Sequence, residues 1–278
     1  MRRLIAIAAL GQALALPLAC TTSPDPPVSF VTGLRVLAIS AEPPQVSPGQ
    51  TTQVTALVID TTGRPVDVTW SRCLLAPLPG EAVNVDCATA AAGAPALEPI
   101  GSGLSVSFAM PDVAATALGL PDATNGVYVP LMANITDGAD TIVAAYRLRL
   151  GDGTPPNMNP QIASVDVVDA GGGLTPIDPA TPLGVHAGDS LTLEAVPAAG
   201  SAQAYTGPDD MPATEVLTIS WFTTAGTLSV AKTSDMQPTT VLKLQESLPG
   251  TGENIDLFAV VHDGRGGVGY THRVLELQ

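Results

Sequence analysis

Few residues in this 278-residue chain have the types and spacing that catalysis requires. Residues 264–269 (GRGGVG) match the GxGxxG dinucleotide pattern, but that site needs a following helix, and the next residues alternate like a strand. His262 and Asp263 could form a catalytic dyad, although the surface chemistry of a hairpin turn accounts for the pair better. The three histidines lack HExxH or paired ligand spacing, which disfavours zinc, and no GxSxG elbow occurs. The sequence therefore predicts no catalytic residue, metal ligand or cofactor.

The three cysteines, Cys20, Cys73 and Cys87, are the other chemically distinctive residues. In an exported protein an odd count leaves one thiol without a disulfide partner. Residues 1–19 predict export, because a basic start (Arg2) leads into a short apolar stretch and a small-residue exit. That apolar stretch is too short to span a bilayer stably.

The four residues Pro17-Leu18-Ala19-Cys20 resemble the bacterial lipobox. The resemblance implies that residues 1–19 are a signal peptide, that the Cys20 thiol receives diacylglycerol, and that its acyl chains, such as palmitate, bind the membrane. Pro17 stands where the family usually has an aliphatic residue, so ordinary secretion with cleavage after an alanine is the alternative. Residues 20–29 would form a Pro-rich lipidated tether. Thr21 rather than Asp follows the cysteine, which by resemblance to enterobacterial sorting implies the outer membrane.

Composition and patterning predict an all-β fold. Charged residues make up 13% and aromatic residues 4%, while apolar residues alternate along short segments between turn sequences. The pattern recurs: the segment ending at Trp221 echoes the one ending at Trp70, and Asp263-Gly264 echoes Asp137-Gly138 as a hairpin signal. This duplication predicts two β-sandwiches of about 115 residues each.

A Trp-bearing strand and a terminal Asp-Gly hairpin resemble those of bacterial immunoglobulin-like domains. With residues 33–39 (GLRVLAI), 42–44 (EPP) and 70–73 (WSRC), the chain is similar to uncharacterised lipoproteins of myxobacteria and their relatives. The resemblance implies tandem immunoglobulin-like domains and says almost nothing about activity. The predicted domains are residues 30–150 and 162–278, joined by a linker at 151–161.

Acylation of Cys20 would leave Cys73 and Cys87 free to form one disulfide in an oxidising compartment. Two free buried thiols are the alternative. Cys73 has the opposite strand parity to Trp70, so a bridge would pin the following insertion rather than the core.

Two groups of residues suggest ligand binding. Trp70 and Trp221 could stack on sugars, but both are in phase with apolar neighbours, which favours a core position. In the linker, Asp152, Asn157 and Asn159 could offer oxygen ligands to calcium. Turn and capping roles are the alternative for the asparagines.

Charge and motif content together favour a non-enzymatic protein. The net charge of −15 becomes 9 − 26 = −17 once Arg2 and Arg3 are removed, which disfavours nucleic acid as a partner. We expect a lipid-anchored cell-envelope protein with a non-enzymatic binding, spacing or structural role. Its expected partner is an unknown envelope protein or polysaccharide. A carbohydrate-binding or adhesion module is the alternative, and an enzyme is the third reading. The long loops at 74–103 and 198–214 are the expected contact surfaces.

Overall fold

A computed structural model describes residues 27–75, 84–91, 93–112, 120–122, 126–151, 156–207, 211–246 and 252–278. The predicted signal peptide, Cys20 and most of the tether lie outside these residues. Strands make up nearly all of the regular secondary structure of the described chain, which confirms the predicted all-β class.

The N-terminal half, defined as residues 30–150, contains nine strands and one short helix in its described part. They are β1 Leu34–Glu42, β2 Gln45–Val46, β3 Thr51–Asp60, β4 Asp67–Cys73, α1 Val85–Thr89, β5 Leu97–Ser102, β6 Ser105–Ala109, β7 Leu120–Asp122, β8 Gly126–Thr136 and β9 Thr141–Leu150. One sheet has the order β1-β3-β6, and the other has the order β2-β9-β8-β4-β5, with β7 paired to β8.

The C-terminal half, defined as residues 162–278, contains twelve strands in its described part. They are β10 Ile162–Val168, β11 Leu174–Pro176, β12 Leu183–Val185, β13 Ser190–Pro197, β14 Ala204–Thr206, β15 Pro212–Thr214, β16 Thr218–Thr223, β17 Thr227–Leu228, β18 Lys232–Ser234, β19 Thr239–Lys243, β20 Asn254–His262 and β21 Val268–Leu277. The main sheets have the orders β11-β10-β13-β19-β17 and β12-β21-β20-β16-β18, and β14 pairs with β15 alone.

Each half buries its own apolar core, as the alternating segments predict. One core draws on residues 34–150 and the other on residues 165–277. Trp70 and Trp221 are 2% and 0% exposed, so both are core residues and neither can stack on a sugar. Their indole N–H groups donate to the Gly103 carbonyl and to the Thr233 hydroxyl, each at 2.9 Å.

A third apolar contact joins the two halves through β1. The register of β1 against β3 shifts between Val36 and Ala38, which is a β-bulge. The bulge lets Leu37 and Ala38 face the C-terminal half, where they pack in clusters with Phe258 and Val260. Strand β1 is therefore buried on both faces, and the halves pack against each other along it.

Candidate functional site

The two halves flank an open cleft of about 520 Å³, which we call the central cleft. Strands β1 and β9 form its walls, and the turn between β20 and β21 closes one end. Its lining includes the side chains of Val36, Ile39, Tyr128, Tyr146, Arg147 and His262.

The walls of the central cleft are sheet edges. In the described chain β1 pairs with β3 alone. Strand β9 pairs with β8 along its length, but on its other side it pairs with β2 only at Arg149 and Leu150. Among the described residues, the edges of β1 and β9 that flank the cleft thus have no strand paired to them there.

Two basic side chains line the cleft. The Arg147 guanidinium lies 4.3 Å from the centre of the Tyr128 ring, within cation–π range. Burial lowers the pKa of His262, and the charge of Lys232 lowers it further. The imidazole is therefore neutral at neutral pH, and Arg147 is the cation of the cleft.

The glycine-rich motif forms the hairpin turn that closes the cleft, and β21 follows it where a dinucleotide site would need a helix. The Tyr146 hydroxyl donates to the Gly266 carbonyl at 2.9 Å, which ties the turn to the N-terminal half. A Cβ on Gly267 would meet the Asp263 carboxylate and lie 3.0 Å from the Met158 carbonyl. These glycines therefore permit a close approach between hairpin and linker, and no phosphate role is needed to explain them.

Behind the turn lies a buried polar network centred on Asp263, which is 2% exposed. Its carboxylate accepts from the backbone N–H groups of Arg265 (2.7 Å) and Gly267 (2.9 Å) and from the Asn157 amide (2.9 Å). The Arg265 guanidinium donates to Glu215 at 2.8 Å, and this ion pair is also buried. Polar groups buried at this depth need such partners, and these residues provide most of them for one another. Within the described chain, Asn157 Oδ1 and Arg265 Nε are buried without a hydrogen-bond partner.

Backbone N–H groups and the Arg265 guanidinium hold both carboxylates of this network. Burial raises the pKa of Glu215, and the nearby Asp263 raises it further, while the backbone N–H of Gln203 and the Arg265 guanidinium oppose the shift. Asp263 accepts from Asn157 and from its own turn, and no hydrogen bond joins it to His262 in the described chain. The dyad considered from the sequence is not assembled.

Asn159 of the linker joins the two halves directly. Its amide N–H group donates to the Ala41 carbonyl and to the Glu42 carboxylate, both at 2.7 Å, and its carbonyl accepts from the Val268 N–H at 2.9 Å. Within the described residues no group of three or more His, Cys, Asp or Glu side chains is placed to hold a metal ion. Asp152 lies outside those residues. Asn157 and Asn159 therefore act as clamps in this structure.

Two pairs of polar side chains could hardly be predicted from the sequence. His272 lies 2.7 Å from Asp256 and stacks on Phe258 at 4.5 Å between ring centres. Arg64 donates to Asp137 at 2.7 Å. The first pair could have been found only by fixing the register of the β20–β21 hairpin, in which Phe258 lies directly opposite His272.

The predicted cysteine pair lies outside both main cores. The sulfur atoms of Cys73 and Cys87 are 1.99 Å apart, at disulfide distance, and the pair attaches α1 to the end of β4. Both cysteines pack with Met132 in a small separate cluster. The adjoining groove of about 340 Å³ is lined by Thr69, Ser71 and other uncharged residues. The predicted loop at 74–103 thus contains α1 and the whole of β5.

No protein-family model matches this chain, and no curated protein matches it in sequence. Across the described residues, none of the helices has the length and apolar character needed to cross a membrane.

Proposed function

We propose that this protein is a lipid-anchored component of the cell envelope, held in the outer membrane through acylated Cys20, with a non-enzymatic binding, spacing or structural role. One observation carries the non-enzymatic part. The carboxylates behind the hairpin turn, Asp263 and Glu215, are buried and hydrogen-bonded to backbone N–H groups, Asn157 and Arg265. Groups held in this way stabilise a scaffold and are not available to a substrate.

Contacts at the start of the described chain support an anchor with a defined attachment point. The Val31 N–H donates to the Thr223 carbonyl, and the Thr223 N–H donates to the Ser29 carbonyl, both at 2.9 Å. The start of the described chain is thereby fixed to the end of β16 in the C-terminal half. A tether from Cys20 to Pro27 reaches at most about 25 Å. The anchor would hold this end of the C-terminal half close to the bilayer.

Fractionation of cells tests the anchor. Wild-type protein should sediment with membranes and require detergent for release, whereas Cys20→Ser should be found in soluble fractions. Unchanged membrane retention of Cys20→Ser would rule out the proposed anchor.

A turnover assay tests the non-enzymatic role. The purified protein should leave glycans, esters and peptides unchanged. Turnover of any of these substrates, lost in a variant of the central cleft such as Arg147→Gln, would overturn that part of the proposal.

No observation favours the carbohydrate-binding alternative. Sugar binding relies on exposed aromatic rings, and both tryptophans are buried. Among the described residues Tyr270, at 44%, is the one Trp, Tyr or Phe side chain that counts as exposed.

A further inference from the structure

The sheet that contains β4, β8 and β9 has a groove on the face that points away from the Trp70 core. On β8, Met132 and Asn134 alternate with residues of that core, so their side chains lie on this outer face. Val143 of β9 lies directly opposite Asn134. Together with α1, β5 and the loop between them, these strands line a space of about 340 Å³, which we call the outer groove.

The Cys73–Cys87 disulfide fixes one wall of the outer groove. Helix α1 has five residues, which is too short for a helix to be stable without tertiary contacts. Cys87 is its one buried residue, and the disulfide attaches it to the end of β4. Neither cysteine belongs to the core around Trp70. The cross-link therefore positions the wall of the outer groove rather than the main core.

Short side chains leave the space of the outer groove open. Its wall includes Ala88, Gly93 and Gly101, none of which extends far enough to fill it. The lining also contains Met132, which is 3% exposed, and Val143, which is 45% exposed. The outer groove therefore reaches from the interior of the protein to solvent.

The lining of the outer groove is uncharged and holds two unused hydrogen-bonding side chains. The described lining contains no Asp, Glu, Lys, Arg or His. Within the described chain, the Ser71 hydroxyl and the Asn134 amide make no hydrogen bond. A charged ligand would lose hydration here without gaining a partner of opposite charge, whereas a neutral polar group can hydrogen-bond to Ser71 or Asn134.

We propose that the outer groove binds a small, uncharged and mainly apolar molecule, which presents one polar group to Ser71 and Asn134. Small-molecule pockets have volumes of about 300–1,000 Å³ and combine an apolar lining with a few placed polar groups, as this groove does. A ligand of this kind gains affinity from the apolar area that it buries. The inference rests on the proposed binding role and adds a ligand class to it.

Two related fluorescent probes test the ligand class. N-phenylnaphthylamine is uncharged and apolar with one N–H group, and anilinonaphthalenesulfonate adds a negative charge to the same ring system. The full-length Cys20→Ser chain, which carries no acyl group, is titrated into each probe without detergent, because micelles would compete for an apolar probe. The emission of the uncharged probe should rise to saturation with a Kd of about 1–50 μM. The sulfonate should bind at least about tenfold more weakly.

Substitutions in the Cys20→Ser chain test the location. Val143→Trp fills the groove from its exposed side and should weaken binding of the uncharged probe at least about tenfold. Thr141→Trp is the matched control, because Thr141 is exposed two residues away on the same face of β9 and does not line the groove, and it should leave the affinity unchanged. Asn134→Ala should weaken binding about threefold through the lost hydrogen bond.

The disulfide provides a second variant that reaches the same wall. Cys73→Ser/Cys87→Ser releases α1 and should weaken binding at least about tenfold. Near-ultraviolet circular dichroism should show that this variant and the tryptophan variants remain folded. Absence of saturable binding up to about 200 μM protein would overturn the proposal, as would equal affinity for the two probes or equal weakening by both tryptophan variants.

Sedimentation distinguishes a second copy of the chain as occupant. A dimer that Val143→Trp converts to monomer would overturn the proposal of a small ligand. All of these measurements use a chain without Cys20, so loss of the groove proposal is separate from loss of the anchor.

Discussion

At the residue scale, hydrogen bonds of amide and carboxylate side chains join the linker to both halves. Asn159 contacts β1 of one half and β21 of the other, while Asn157 donates to Asp263 under the hairpin turn. In each of these hydrogen bonds, the partner of the asparagine lies more than a hundred positions away in the sequence. Asparagine in a turn-rich segment predicts a local turn, and nothing in its neighbours identifies such distant partners.

Removing the Asn159 clamp should destabilise the protein. Asn159→Ala leaves the partly buried Val268 N–H without its acceptor, which costs about 1–3 kcal/mol of unfolding free energy. Urea denaturation measures this. Asn134→Ala, at an exposed position, should change the free energy by less than about 0.5 kcal/mol. Equal effects of the two substitutions would contradict the role of Asn159.

The Asp137 carboxylate should make stability depend on acid pH. The N–H groups of Asp140 and Ala139 lower its pKa from the usual 3.8, and Arg64 lowers it further, while burial opposes them. A lowered folded pKa stabilises the protein above the unfolded value, and that stability is lost as the pH falls through the folded value.

Asp137→Asn should therefore reduce the urea midpoint at neutral pH, and its difference from wild type should shrink below about pH 3. Asp140→Asn, in the same turn but with an exposed carboxylate, should have little effect at either pH. A constant difference between Asp137→Asn and wild type across this range would show that its charge is not involved.

At the element scale, the glycine-rich hairpin and the disulfide-linked helix act on different parts of the molecule. The hairpin fits between the linker and β9, so its shape decides how the halves meet. The helix α1 is attached by Cys87 on the far side of β4 from the Trp70 core. Changes in the hairpin should therefore affect the stability of the whole protein. Loss of the disulfide should affect only the structure around α1.

Two glycine substitutions separate close packing from backbone conformation. Gly264→Ala places a Cβ in open space at a φ of +77°. It should lower the free energy of unfolding by only about 1–2 kcal/mol, which is the cost of a non-glycine residue in the left-handed conformation. Gly267→Ala drives a Cβ into the Asp263 carboxylate and the Met158 carbonyl, and should cost more. Thermal unfolding of the two variants compares them, and the reverse order would refute the packing argument.

Loss of the disulfide should act locally. The Cys73→Ser/Cys87→Ser double variant removes a cross-link across 14 positions, worth about 3 kcal/mol in the loop-entropy model. Hydrogen exchange should rise in residues 84–97, while the strands around Trp70 stay protected. Equal loss of protection in the Trp70 core would show that the cross-link supports the core itself. Intact mass with and without reductant confirms the starting bond.

Strand content was predictable because alternation and turn residues are local signals. The pairs Trp70/Trp221 and Asp137/Asp263 also carry the duplication. The bulge at Leu37 was not predictable, because burial on both faces of β1 depends on a contact with the other half. The central cleft was not predictable for the same reason, because sequence shows where strands lie and not which edges remain unpaired.

At the scale of the whole molecule, β1, the hairpin and the linker make the two halves a single packed unit. The apolar contact of Leu37 with Phe258 and the buried network at Asp263 lie on the same boundary. An anchor near Thr223 would then orient both halves together relative to the membrane.

Cooperative unfolding follows from this packing. Each half contains one tryptophan, so Trp70→Phe leaves a fluorescent reporter of the C-terminal half and Trp221→Phe leaves one of the N-terminal half. In each variant the fluorescence transition should coincide with the transition in far-ultraviolet circular dichroism. Separate midpoints for the two signals would mean that the halves unfold independently.

The most direct test of the account is the mass of the N-terminal peptide of protein extracted from membranes. The account predicts that this peptide begins at Cys20 and carries the added mass of a diacylglyceryl group with further acylation. An unmodified peptide that begins at Thr21, or one that retains residues 1–19, would contradict it.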